Sequence, residues 1–169
     1  MKTSTFALLV GIAFLAAGVL GLVPAMLVSP PADAPPTTFT TLYGYLLGLF
    51  PVNIIHTAVH LAIGAWGIAA WREIANPALF ARSLALLYGT LALLGMIPLF
   101  NTMLGWIPIH GHDVWLHGIT ATLAAYFGWR SEVPHAERRT GRLDRRHGLQ
   151  PAMQERRVGF SDRRLSPGI

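Results

Sequence analysis

Between Lys2 and Arg130 the chain carries only two basic residues, Arg72 and Arg82, and only three acids, Asp33, Glu73 and Asp113. Four long apolar runs fill most of that stretch, at residues 6 to 28, 52 to 71, 79 to 100 and 113 to 130. A helix rises about 1.5 Å per residue, so each run is near the length needed to cross a hydrocarbon core of roughly 30 Å. In such a core every backbone N–H and C=O must be satisfied internally, which a helix does along its own axis. The pattern predicts an all-α fold: an integral membrane four-helix bundle over residues 1 to 130. A polar tail follows over 131 to 169.

Composition agrees. Charged residues make up 12% of the chain, about half the share in a soluble domain. A secretory signal peptide is the rival reading of the first run, with Lys2 as its positive start and Val23-Pro24-Ala25 as a cleavage site. The apolar run exceeds the usual signal core of about 7–15 residues, so it is read as a retained span. Residues 29 to 50 open with the helix-breaking Ser29-Pro30-Pro31 and Pro35-Pro36. Tyr43 and Tyr45 then read as a short interfacial segment. Trp66, Trp71, Trp106, Trp115 and Trp129 read mostly as interfacial anchors. Lys2, Arg72, Arg82 and the tail arginines fall on one side, which by charge bias is cytoplasmic. Both termini are therefore expected in the cytoplasm. Cysteine is absent, which excludes disulfides and thiolate chemistry.

The bundle reads as two related transmembrane hairpins. Pro51-Val52-Asn53 with His56 and His60 recurs as Pro108-Ile109-His110 with Asp113 and His117. Likewise Phe6-Ala7 and Gly21 recur as Phe80-Ala81 and Gly95. His56 and His60 are one helical turn apart, as are Asp113 and His117, so each pair shares a face. Ionisable groups at membrane depth are costly and mark a site by default. The first reading is a structural polar clamp between the hairpins, with Pro51, Pro108 and Asn53 as structural residues and Asn53 as a helix cap. A metal reading gives zinc or copper ligands at His56, His60, Asp113 and His117, joined by His110 and His112 from the loop. A haem reading makes His60 and His117 the axial pair of a b-type haem. A quinone or proton-handling cluster is the remaining chemistry, and an oligomeric conduit a further class, because four short helices enclose little volume. No phosphate loop, nucleophile elbow or acidic pair is present, so hydrolytic chemistry is not expected and no catalytic residue is assigned.

In the tail, Glu137-Arg138-Arg139, Gly141 and Asp144-Arg145-Arg146 recur as Glu155-Arg156-Arg157, Gly159 and Asp162-Arg163-Arg164. Apolar residues there are too sparse for a core, so disorder or short helices are expected. Attraction to anionic lipid, about 1 kcal/mol per basic residue near the surface, or an acidic protein partner fits this composition. So does a solvated tail that only sets topology. No specific nucleic-acid interface is predicted.

Residues 6 to 130 resemble the domain of unknown function 4383 family of small bacterial membrane proteins. The resemblance rests on Phe6-Ala7-Leu8-Leu9-Val10-Gly11, Gly18-Val19-Leu20-Gly21, Leu49-Phe50-Pro51-Val52-Asn53, His56, Val59-His60-Leu61, Gly64, Asp113 and Trp115-Leu116-His117. It implies a four-span fold in the bacterial inner membrane, with His, His, Asp and His at positions 56, 60, 113 and 117. His110 and Val114 depart from the family's usual asparagine, and His112 is added. The resemblance brings no activity with it, and the tail lies outside it.

Overall fold

The structure is a computed structural model, and residues 1–130 are described. The tail, with its repeat and its expected lipid or protein contacts, lies outside the described residues. Four helices dominate: α1 (Thr3–Gly21), α2 (Ile54–Trp71), α3 (Pro77–Gly95) and α4 (His112–Trp129). The first three are long and apolar enough to cross a membrane. α4 has comparable length but falls short of that apolarity, because His112, Asp113 and His117 occupy its first two turns. The outer faces are strongly apolar, with Leu9, Val19, Leu86, Leu93 and Ile119 each more than half exposed. Contiguous apolar surface on this scale is stable against hydrocarbon rather than water.

Local chemistry sets the helix ends. α1 stops at Gly21, well short of the residue 28 reached by the apolar run. Pro24 has no amide to continue the ladder, and its ring clashes with the preceding turn. A single 3-10 turn over Pro24–Met26 follows. Asn76 caps α3, its Oδ1 accepting from the amides of Ala78 (2.9 Å) and Leu79 (3.1 Å), and Pro77 fills the favoured first position. α3 ends at Gly95, three residues before Pro98.

The linker between α1 and α2 contains a small sheet that hydropathy did not predict. Strands β1 (Leu27–Val28), β2 (Gly44–Leu46) and β3 (Phe50–Val52) pair antiparallel in the order β1-β2-β3. Leu27 faces Leu46, and Tyr45 faces Pro51. Pro51 therefore belongs to an edge strand, where its missing amide costs no ladder bond, and not to the first turn of α2. Strands of two or three residues are too short to show an alternating pattern.

α1 packs mainly on α2, and α3 mainly on α4, while α1 and α4 touch little. The close α1–α2 contact depends on glycine. A Cβ on Gly64 would stand 2.7 Å from the Leu15 amide nitrogen and 2.9 Å from the Gly11 carbonyl oxygen. The densest core lies toward the end where α1 starts and α4 finishes. There Phe6 stacks on Phe127 (centroids 4.8 Å) and Trp66 meets Phe80 edge-on (5.1 Å). Trp66 is thus a packing residue and not an interfacial anchor, whereas Trp71, Trp106, Trp115 and Trp129 are exposed. Polar contacts close the same end: Thr3 Oγ1 donates to the Phe127 carbonyl (3.1 Å) and Arg82 Nε to the Gly128 carbonyl (2.8 Å).

Candidate functional site

At the opposite end the first turns of α2 and α4 face each other. Asn53, fully buried, is the N-cap of α2. Its Oδ1 accepts from the His56 amide at 2.9 Å. Its Nδ2 donates to the carbonyls of Trp106 (2.8 Å) and Phe39 (3.2 Å). One side chain thus starts a helix and joins the two loops that flank it. Pro51 and Pro108 are also fully buried beside this junction.

The Asn53 cap places His56 pointing inward. Its Nδ1 lies 3.1 Å from the Pro51 carbonyl oxygen. A carbonyl only accepts, so that contact puts the proton on Nδ1. The same ring nitrogen is 4.0 Å from Asp113 Oδ2. Asp113 sits in the first turn of α4, where a carboxylate complements the helix dipole. His117, one turn on, follows on the same face. Ligand-capable atoms of His56, Asp113 and His117 all lie within 4.8 Å of one another, and all three residues are buried.

His60 lies alongside, its ring 4.4 Å from that of His56 and 5.3 Å from that of Phe14. His117 is 6.3 Å from His56 and 4.9 Å from Tyr88, again between ring centroids. Asp113 Oδ2, His60 Nδ1 and His117 Nδ1 are buried without a hydrogen-bond partner. Leaving such an atom unmade costs about 1–3 kcal/mol. His60 and His117 also line a common cavity of about 170 Å³ between α1 and α4. Phe6, Val10, Ala13, Phe14, Ala17, Leu116, Thr120 and Leu123 form its walls, with Tyr88 and Asp113 beside the imidazoles.

His110, in the loop, and His112, which begins α4 rather than lying in the loop as expected, do not join the cluster of three. His112 is exposed, and its ring approaches Phe50 at 6.4 Å. His110 is buried, with its ring 6.1 Å from that of Tyr45, and its Nε2 has no partner. Burial holds the His110 imidazole below its usual 6.5. The unfolded chain then takes up a proton that the folded chain refuses, so stability falls as pH drops through about 6.5. Melting curves between pH 7.5 and 5 are expected to show a smaller loss for His110→Asn than for the unaltered chain. Equal slopes would refute this role.

Phe14 and Tyr88 were not singled out from sequence. A phenol within an otherwise apolar span was a usable signal for Tyr88, whereas nothing distinguished Phe14 from its neighbours.

The fold and this cluster together define a helical, membrane-compatible protein with ionisable side chains buried at one end. The chain belongs to the family described as domain of unknown function (DUF4383), whose model matches residues 4–130. No curated protein and no solved structure shows significant similarity to it.

Proposed function

We propose that this is a multi-pass inner-membrane protein that holds one zinc or copper ion through His56, Asp113 and His117. The observation that carries the reading is three buried ligating groups from two helices, within 4.8 Å of one another, with atoms of Asp113 and His117 left unpartnered. Imidazole and carboxylate suit these ions. Tetrahedral zinc at about 2.0–2.1 Å from each ligand needs those atoms roughly 3.3 Å apart, a closing movement within reach of side-chain rotation. The Pro51 carbonyl steadies the His56 ring, as backbone acceptors commonly do for metal-bound imidazoles. His60 stands next to the three as a further donor.

The clamp reading receives less support. His56 does meet the Pro51 carbonyl at 3.1 Å and Asp113 at 4.0 Å, but the bonds that join the two loops belong to Asn53, and Nδ1 of both His60 and His117 has no hydrogen-bond partner. A haem between His60 and His117 needs more space than about 170 Å³, since small-molecule pockets begin near 300 Å³. A conduit through a single chain is disfavoured by the packing of Phe6, Phe80, Leu84 and Phe127 across the other end, whereas an oligomeric conduit would run between chains.

We further infer four spans, with α4 the fourth and both termini cytoplasmic. Lys2, Arg72, Arg82 and Arg130 gather at one end, on the start or finish of each helix. Equivalent contacts support descent from a duplicated hairpin. The offset relating Phe14 to Tyr88 also relates Gly21 to Gly95, and that relating His60 to His117 relates Thr57 to Val114. Phe14 packs on His60 and Tyr88 on His117. A Cβ on Gly21 would meet Thr57, and one on Gly95 would meet Val114.

Purified protein equilibrated with zinc or with copper is expected to retain about one ion per chain and to melt higher, by mass action. Asp113→Asn and His117→Ala should each weaken retention by more than the roughly 10–100-fold typical of outer-shell losses. Sub-stoichiometric metal, with no thermal shift from either ion, would overturn the proposal.

A further inference from the structure

The cavity between α1 and α4 is more than free volume beside the cluster. Its walls are apolar, while its inner end presents Asp113 and His117, which are 3% and 2% exposed and carry unpartnered atoms. Of its lining residues Ala13, Leu116 and Leu123 are exposed, on faces that meet hydrocarbon in a spanning bundle. The opening is therefore sideways, toward lipid. We propose that this cleft admits the head and first carbons of a neutral, hydroxyl-bearing single-chain amphiphile drawn from the bilayer.

Three features select that class. The polar end sits beneath apolar walls, so a ligand must be apolar along its length and polar at one tip. A dry cavity of about 150 Å³ takes up benzene, so about 170 Å³ holds a ring or a short length of chain while the remainder stays in lipid. Charge decides the head. A phosphate or carboxylate at membrane depth needs a cation; with the cluster free of metal none is at hand, because every Lys and Arg among the described residues lies at the opposite end. A hydroxyl both donates and accepts, so it can donate to Asp113 Oδ2 and meet the imidazole of His117. The inference is independent of the metal reading and concerns the metal-free cluster, since an ion on Asp113 and His117 would itself be the cation an anionic head needs.

The test uses the full chain, freed of metal with a chelator, in nanodiscs of neutral phospholipid, with a long-chain alcohol carrying a diazirine near its head. Photolabelling mapped by mass spectrometry should favour the cleft residues of α1 and α4 over lipid-facing Leu86 and Leu93 by about tenfold, a difference near 1.4 kcal/mol. Excess unlabelled alcohol should suppress the cleft label, and the carboxylic acid of the same chain should label it poorly. Ala17→Trp, which fills the cleft, should remove the preference. Uniform labelling of the unaltered chain overturns the proposal, as does an equal preference for acid and alcohol. Metal retention measured on a second sample, not treated with chelator, separates the two readings. Cleft labelling without metal retention defeats the ion alone, and metal retention without cleft labelling defeats the amphiphile alone.

Discussion

Gly64→Val is expected to lower stability by about 3 kcal/mol or more, the upper range for overpacking. The reason is the backbone approach of α1 and α2. Even the first carbon of a side chain at residue 64 would press on the Leu15 amide and the Gly11 carbonyl oxygen, at 2.7 and 2.9 Å. Main-chain atoms cannot swing aside, so the helices must separate. Separation forfeits the close packing that holds membrane helices together, because lipid is as apolar as the side chains it replaces. Gly118→Ala is the internal control. A Cβ there meets nothing within 4 Å, and alanine favours helix by about 1 kcal/mol over glycine. Thermal unfolding of both variants in the same detergent checks the contrast. A Gly64→Val melting point within a degree or two of the unaltered chain would mean that the helices are not in such contact.

Removing the Asn53 side chain should have the other large effect. Asn53→Ala loses an N-cap, at about 1 kcal/mol. It also strands the carbonyls of Phe39 and Trp106, which now accept from Nδ2 at 3.2 and 2.8 Å. Two orphaned acceptors at about 1–3 kcal/mol each bring the total to roughly 3–7 kcal/mol. Asn53→Ser should recover the cap portion alone, because a hydroxyl accepts from the second or third helical amide but does not span two loops. The effect reaches the cluster as well. The cap holds the first turn of α2, and His56 lies in that turn, so Asn53→Ala should reduce metal retention while leaving all three ligands in place. A loss under about 1 kcal/mol for Asn53→Ala would show that water satisfies those carbonyls.

The candidate cluster was legible to the extent that its pieces are local. His56 with His60, and Asp113 with His117, share helix faces by spacing alone, and burial cost marked them as unusual. Spacing did not reveal which of six candidates converge. His110 and His112 are near in sequence to Asp113, yet one packs toward Tyr45 and the other toward Phe50, because Gly111 turns the chain with a positive φ of 65° just before α4. Tyr88 reaches the cluster from α3 and Phe14 from α1, contacts that no spacing announces.

For the fold, sequence by itself determined the helices, their family and the suitability of the first three for a membrane. Hydrophobic runs, proline breaks and asparagine caps act within a few residues, so the chain declares them locally. Tertiary structure decided the rest: a three-stranded sheet made from segments too short to signal themselves, a glycine-dependent approach of α1 to α2, and a cleft left where α1 and α4 hardly meet. These depend on residues far apart in the chain arriving at the same place, and that is settled by the packing of whole helices rather than by any stretch read alone.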